Sequence, residues 1–276
     1  MRRRPPALLP CLVLGLVLAL GTSCSALGED LSPGTAVRAA DLQPAPGSPA
    51  TRDGWRTELQ LPEGLLRVSV VPVEGSEVPA RDTADDQDVA VDEGTLAAVS
   101  WSLSVGEGLP LAAARLVLAP TVASSLHLVA GGTRTRLDVD GLDLERGFVW
   151  TSLEESVLDD LDDLALEVEY DGEVLTTDAP RPGLDAPTDR TFAPCADVLD
   201  PPVPTGTCRA TLETWPWLPE QGWADGAPWR LVRLEATAGE PDVTLDGTAP
   251  LATTVVTRDA PAAAYVLVFP GEPEGD

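Results

Sequence analysis

Lysine, asparagine and isoleucine are absent from this chain of 276 residues. The codons of all three residues are rich in A and T, so their absence indicates a genome of high GC content. All 18 basic residues are therefore arginine as a result of codon usage. The choice of arginine over lysine gives no evidence for recognition of phosphate or carboxylate groups.

Positive charge is also scarce, because 45 acidic residues give the chain a formal net charge of −27. Removal of residues 1–23, which contain three arginines and no acid, changes this value to −30. Proteins that bind nucleic acids gain much of their affinity by neutralising phosphates. The charge therefore excludes nucleic acid as an expected partner, whereas it favours solubility, cations or a basic partner.

The chain has a single histidine, His127, in the segment "SLHLVA". One histidine would suffice for a Ser-His-Asp triad, but the sequence contains no G-x-S-x-G nucleophile elbow. The paired carboxylates of a glycosidase cannot be singled out among so many acids. We therefore expect His127 to be an ordinary strand residue and the protein to be non-catalytic. A hydrolase with unidentified carboxylates is the alternative.

The N-terminus combines a positive start with a short apolar run. Arg2, Arg3 and Arg4 precede an uncharged segment from Ala7 to Leu20, and small residues then lead to Cys24. This order is the layout of an export signal. An apolar run of about 14 residues is shorter than the roughly 20 that a membrane-spanning helix needs.

The end of this segment, "LALGTSC" (18–24), resembles the signal of bacterial lipoproteins, in which small and apolar residues precede a cysteine. That cysteine receives a diacylglyceryl group and becomes the new N-terminus. The resemblance implies that residues 1–23 are a signal peptide and that Cys24 is lipidated. The protein would then be anchored at the extracytoplasmic face of the cell membrane, with the membrane as a partner through this lipid. Cleavage by an ordinary signal peptidase after Ala26 is the alternative.

Two further cysteines, Cys195 and Cys208, lie in the part of the chain expected to fold, and the fourth, Cys11, lies in the signal. Export favours a disulfide between them. With twelve residues between the two cysteines, the bridge would stabilise the fold by roughly 3 kcal/mol in the loop-entropy model. The spacing does not fit a C-x-x-C redox pair or a zinc site, so no cofactor is expected.

Residues 24–52 are rich in Pro, Ala and Gly without apolar periodicity, which predicts a disordered tether. Beyond them, short apolar and often alternating segments separated by turn residues predict β-strands. These strands are expected at 65–73, 96–105, 114–119, 125–130, 133–139, 164–170, 229–236 and 263–269. Two-residue turns that require positive φ predict antiparallel hairpins at Gly131-Gly132, Asp171-Gly172 and Asp246-Gly247.

One segment has helical spacing. Leu153, Val157, Leu161 and Leu164 follow one another at intervals of four, four and three, behind a capping box. The sequence therefore predicts an all-β, antiparallel β-sandwich fold with one short helix near 152–163. The length admits one large sandwich or two domains, and weak internal similarity favours two. They would span 53–180 and 191–276, with a proline-rich linker at 181–190.

The signal, the tether and the β pattern together resemble the tandem immunoglobulin-like domains of exported lipoproteins from high-GC Gram-positive bacteria. The resemblance implies a non-catalytic interaction or structural module of the cell envelope. Expected partners are an envelope protein or a cell-wall polysaccharide.

Four of the seven tryptophans are concentrated in "WPWLPEQGWADGAPW". They are Trp215, Trp217, Trp223 and Trp229. Residues 215 and 217 share a face in an extended segment, so with Glu220 and Asp225 they could stack on sugar rings. A polysaccharide-binding module is therefore the first alternative function, ahead of the hydrolase, although we favour the interpretation that these large residues fill the core of a domain poor in other aromatic residues.

Two acidic segments are candidate calcium sites. Asp138, Asp140, Asp143 and Glu145 form one, and Asp85, Asp86, Asp88, Asp92 and Glu93 form the other. In the first segment Gly141 comes too early for an EF-hand loop and fits a hairpin turn equally well. We therefore expect no metal.

Overall fold

The computed structural model describes residues 30–40, 54–119, 122, 124–139, 141–158, 161–184, 191–200, 209–237, 241–259 and 262–271. The signal peptide, Cys24 and Cys208 lie outside these ranges. Among the residues described, no helix is both long enough and apolar enough to cross a bilayer.

Strands account for most of the regular structure, and every pairing between named strands is antiparallel. The first eleven are β1 (Ala36–Arg38), β2 (Trp55–Leu61), β3 (Gly64–Pro72), β4 (Glu77–Val78), β5 (Val89–Ala90), β6 (Thr95–Val105), β7 (Ser124–Ala130), β8 (Thr133–Arg136), β9 (Arg146–Leu153), β10 (Ala165–Tyr170) and β11 (Glu173–Thr176). The other seven are β12 (Thr191–Pro194), β13 (Arg209–Trp215), β14 (Trp217–Leu218), β15 (Gly222–Trp223), β16 (Trp229–Thr237), β17 (Ala252–Asp259) and β18 (Ala262–Phe269). The all-β class is therefore confirmed.

The helices are short: α1 (Leu111–Leu116), α2 (Glu155–Leu158) and α3 (Cys195–Val198), with single 3-10 turns at Ala80–Asp82 and Leu161–Asp163. The helix predicted near 152–163 is present only in part, because β9 continues to Leu153 and α2 has four residues. Its apolar positions do face inward, since Val157 is buried. The strand predicted at 114–119 is wrong: the alanine-rich segment "LAAARL" forms α1, as its high helix propensity favours.

Two sheets form a sandwich. Sheet A has the order β1-β9-β6-β3-β2 and sheet B the order β11-β10-β7-β8. Because side chains alternate along a strand, Leu66 and Val68 of β3 face Leu166 and Val168 of β10 across one apolar core. The packing of these two inner faces is the sandwich arrangement that the strand pattern predicts.

A third sheet, sheet C, has the order β12-β13-β16-β18-β17. One of its faces carries Leu231 and Val266 into the same hydrophobic cluster as the sandwich. Val232 and Leu267 point the other way, into a second cluster that includes Leu199, directly after α3. Sheet C is therefore covered on both faces, and its inner face shares a core with the sandwich.

The contact between sheet C and the sandwich is centred on a buried hairpin tip. Pro62 and Glu63, the turn between β2 and β3, are both buried, and the carbonyl oxygen of Pro62 accepts a 3.0 Å hydrogen bond from Trp215 Nε1. We call the group Pro62, Glu63, Trp215, Trp217 and Leu231 the seam. Trp215, Trp217 and Leu231 belong to the core cluster of the sandwich, so the seam joins sheet C to the hairpin end of sheet A.

Helix α1 provides a second contact of the same kind. It lies between β6 and β7 in the chain and packs on β16, β17 and β18 of sheet C. The amide of Ala112 in its first turn donates a 2.7 Å hydrogen bond to Glu213 Oε2 on β13. Both partners are buried. A buried carboxylate is costly without such a donor, so Glu213 fixes the position of α1 on the sheet.

All three predicted two-residue turns are present. The turn Gly131-Gly132 joins β7 to β8, Asp171-Gly172 joins β10 to β11, and Asp246-Gly247 closes a bridge between Leu245 and Thr248, all with positive φ. The tether expected over 24–52 is wrong for 30–40. There β1 pairs with β9, and Leu31 is fully buried.

The division into two immunoglobulin-like domains stays a prediction. In the described part of the second half, the outer face of sheet C carries Cys195 and Leu199, together with Val243 and Leu245. From the linker expected at 181–190 the structure describes 181–184, and Leu184 is buried in the shared core. The two halves therefore meet through packed side chains at the point where the linker begins.

A leucine truncation in the seam tests this shared core. Leu231 is fully buried, whereas Leu118 is 85% exposed, so Leu231→Ala and Leu118→Ala make the same chemical change in opposite environments. We expect Leu231→Ala to lower the free energy of unfolding by about 2–5 kcal/mol, and Leu118→Ala to change it by less than about 0.5 kcal/mol. Calorimetry should show one transition that shifts as a whole. Two transitions, of which only one shifts, would contradict the shared core.

Candidate functional site

The two central tryptophans of the predicted sugar-binding cluster are core residues. Trp215 and Trp217 are each 1% exposed. Trp217 Nε1 donates a 2.8 Å hydrogen bond to Asp171 Oδ2, and its ring meets Tyr170 edge-on at 5.3 Å between centroids. The alternative of an exposed indole pair is therefore wrong, whereas the interpretation that these large residues fill a core agrees with their burial. The two rings do lie on the same side of their segment, but that side packs into the seam.

The other two tryptophans are half-buried and are also engaged within the protein. Trp223 Nε1 donates to the carbonyl oxygen of Tyr170 at 3.3 Å, and Trp229 Nε1 donates to that of Gly222 at 3.0 Å. The guanidinium carbon of Arg181 lies 4.0 Å from the centroid of the Trp223 ring. One face of that ring is thus taken by a cation–π contact. Glu220 and Asp225 are exposed at the margin of the cluster.

Carboxylates of the first acidic segment accept hydrogen bonds from other groups of the protein. Asp138 is buried, and its Oδ1 accepts a 3.0 Å hydrogen bond from the amide of Leu126. Its Oδ2 accepts another at 3.0 Å from Arg136. Asp143 Oδ1 accepts from the amide of Glu145 at 2.8 Å. These carboxylates hold the connection after β8 in place, while Asp140 lies outside the described residues.

The second acidic segment folds as a small hairpin that covers part of sheet A. Asp88 Oδ1 accepts a 2.7 Å hydrogen bond from the amide of Ala80, and Asp86 occupies the turn with positive φ. Asp85, Asp92 and Glu93 are exposed. Over the described ranges, no three His, Cys, Asp or Glu side chains are placed to hold one metal ion.

His127 lies beneath a lattice of ion pairs on the outer face of sheet B. Arg134 bridges Glu167 and Glu169, each at 2.7 Å, and His127 is only 7% exposed. Burial and then the positive charge of Arg134 lower the pKa of His127, while Asp138 and Glu169 oppose this effect. Its Nδ1 has no hydrogen-bond partner in the described part of the chain. The imidazole is therefore held neutral, in keeping with an ordinary strand residue.

Cys195 begins α3, is buried, and is disulfide-bonded. Its predicted partner Cys208 lies outside the described residues, so the pairing itself stays a prediction. The half-cystine packs in the cluster that covers the outer face of sheet C. A bond at this position would constrain that cover.

A cavity of about 660 Å³, which the sequence did not predict, lies on the outer face of sheet A. Cross-strand pairing builds it from two adjacent rows of side chains. The first row is Arg56, Ser69 and Ser100, and the second is Glu58, Arg67, Ser102 and Arg146. We call this surface the arginine–serine groove.

Charges in the groove are only partly neutralised. Arg67 donates to Glu58 at 2.9 Å and also to Glu107. The hydrogen bond with Arg67 lowers the pKa of Glu107, and the hydrogen bonds to Glu107 and Glu58 raise that of Arg67. Arg56 and Arg146 are exposed and form no ion pair with any residue that the structure describes.

A local signal for part of this groove does exist in the sequence. In "WRTELQL" (55–61), outward Arg56 and Glu58 alternate with inward Thr57 and Leu59, which is the period-two pattern of a strand. The serines at 100 and 102 alternate in the same way along β6. What the sequence cannot supply is the register that places positions 56, 69 and 100 side by side.

Comparison with known proteins gives no assignment, because the chain matches no family model, no curated protein and no solved structure. The function must therefore be inferred from the residues of this chain.

The buried histidine gives a test by pH. A lowered pKa in the folded state means that the unfolded chain binds the proton first, so the free energy of unfolding falls as pH decreases below about 6.5. The fall ends once the pH is below the folded-state pKa. We expect His127→Gln to have a smaller decrease in stability than the wild type between pH 7.5 and 5, measured by urea titration.

Leu118→Ala is the control for this comparison, because it adds or removes no titratable group and should keep the wild-type pH dependence. Equal slopes for the wild type and His127→Gln would show that His127 is not held neutral by its surroundings.

Proposed function

We propose that the protein is a lipid-anchored module on the extracytoplasmic face of the cell membrane, which acts as an interaction or structural protein of the envelope and not as an enzyme. The observation that carries the proposal is the order of Arg2–Arg4, the apolar segment 7–20 and Cys24. Each buried methylene contributes about 0.8 kcal/mol, so two acyl chains hold a protein that one chain would release.

The ordered stretch 30–40 limits how far the folded part extends from such an anchor. Leu31 is fully buried and forms a bridge with Val91. Seven chain steps of at most about 3.6 Å separate it from Cys24, so the two residues lie within about 25 Å. The proposed module therefore sits close to the membrane, with the Leu31 end of sheet A towards the bilayer.

The negative net charge of the protein is the reason that a lipid anchor is needed. Without residues 1–23 the formal net charge is −30, which an anionic membrane surface repels. The exposed acids Asp85, Asp92 and Glu93 lie on the segment that pairs with Leu31. Surface attraction therefore cannot keep this protein on the bilayer, and a covalent lipid supplies the adhesion.

The positions that suggested other functions are used within the fold, which favours an interaction or structural role. Glu213 holds α1, Asp138 holds the amide of Leu126, and Trp217 holds Asp171. Each of these contacts gives a structural reason for a side chain that could otherwise belong to a catalytic or sugar-binding set.

Replacement of Cys24 tests the anchor. In a Gram-positive host grown with an alkyne analogue of palmitate, we expect the wild-type chain to carry the label and to enter the detergent phase of a Triton X-114 partition. Cys24→Ser should lose the label and leave that phase. Cys11→Ser is the matched control, since it removes a thiol from the same signal and should leave lipidation intact.

The proposal fails if mass spectrometry finds a wild-type chain that begins after Ala26 and carries no acyl group. It fails equally if Cys24→Ser retains the label.

A further inference from the structure

The arginine–serine groove occupies the part of the outer face of sheet A that no other described residues cover. The other part of this face is covered by residues 30–40 and by the hairpin of β4 and β5. Trp150 of β9 fixes this cover, because its Nε1 donates a 2.9 Å hydrogen bond to the carbonyl oxygen of Asp82. The cover includes Phe148, which pairs with Ser100 in the first row, so the cover directly borders the groove.

Two unpaired guanidiniums stand on opposite sides of the groove. Arg56 lies on β2 and Arg146 on β9, with β3 and β6 between them. Three strand spacings and an offset of two residues along the strands place their backbones about 16 Å apart. Three arginines against Glu58 and Glu107 leave a surplus of one positive charge here, in a chain whose formal net charge is −27.

The floor between the two arginines carries serine hydroxyl groups and the side chain of Arg67. The hydroxyls of Ser100 and Ser102 make no hydrogen bond to the described residues. Ser69 Oγ also has no partner among them, but it is shielded from solvent and is not open to a ligand. Arg67 does not satisfy them, because its guanidinium is committed to Glu58, Glu107 and Ser104. Short side chains at these positions keep the floor low.

We propose that the arginine–serine groove binds a carboxylate-bearing glycan segment of two or three sugar units. The guanidinium groups of Arg56 and Arg146 present a planar fork that pairs with a carboxylate through two hydrogen bonds. The serine floor offers donors and acceptors to sugar hydroxyls. A cavity of about 660 Å³ has the volume of a typical small-ligand site.

The small charge surplus decides between two kinds of acidic glycan. Glu58 and Glu107 border the same groove, so a phosphate-rich polymer would meet two carboxylates as well as the arginines. Each phosphomonoester carries a charge of about −1.5 to −2 near pH 7, whereas each carboxylate carries −1, so a carboxylate-bearing glycan meets less repulsion from Glu58 and Glu107 than a glycan of phosphomonoesters. This inference names a class of partner for the proposed envelope module. It rests on the proposed function in one respect only, namely that the cell envelope is where the protein meets the glycan.

Calorimetric titration of the full-length protein in detergent, with trigalacturonate as the probe, tests the inference. We expect saturable binding that falls at least tenfold in Arg56→Gln/Arg146→Gln. The control Arg115→Gln/Arg209→Gln removes the same charge from exposed positions elsewhere and should bind like the wild type. The neutral trisaccharide maltotriose should not bind. Because the titration does not involve the acyl chains, absence of lipid on Cys24 would leave its result unchanged.

A second variant separates a shaped site from general attraction. Ser100→Val keeps every charge and suits a strand, but its side chain is larger than the serine it replaces on the groove floor. We expect it to weaken trigalacturonate binding at least tenfold while the melting temperature stays near that of the wild type. The inference is overturned if the wild type does not bind, if the two arginine pairs have equal effects, if Ser100→Val binds normally, or if inorganic phosphate binds more tightly than trigalacturonate.

Discussion

The hydrogen bond from the indole of Trp215 to the carbonyl of Pro62 joins the two halves of the molecule. Both groups are buried. If one of them were displaced, the other would be left without a hydrogen-bond partner and out of reach of water, at a cost of about 1–3 kcal/mol. Around this bond lie the carboxylate of Glu63 and the phenol of Tyr170. Burial, with a further contribution from Glu63, raises the pKa of Tyr170. The seam thus contains a polar contact inside an apolar cluster, and this contact holds the hairpin tip in one position.

That fixed tip determines which surfaces remain for function. With the hairpin end of sheet A joined to sheet C and its inner face packed on sheet B, the partly open surface of sheet A is its outer face. The acidic hairpin and residues 30–40 cover part of that face. What remains is the arginine–serine groove, which lies on the rigid centre of a five-stranded sheet and not on loops. A site on such a support is positioned without an ordering cost.

The sequence predicted those features that depend on neighbours in the chain. Hairpin turns at residues 131–132 and 171–172 require positive φ, and glycine at those places indicates the turn directly. Helix α1 was missed because a short run such as "LAAARL" fits a strand and a helix equally well by periodicity. The burial of Trp215 could not be read from its own segment, because its partner Pro62 is 153 positions away. The groove was missed for the same reason, since it joins strands that span residues 55 to 153.

Native-state hydrogen exchange measures the dependence on the seam most directly. If the shared core unfolds as one unit, amides in β3, β13 and β16 should exchange with the same free energy, equal to that of global unfolding. Exchange from β13 and β16 at a free energy about 2 kcal/mol or more below that of β3 would show that sheet C opens by itself, and the account of a single core would then be incorrect.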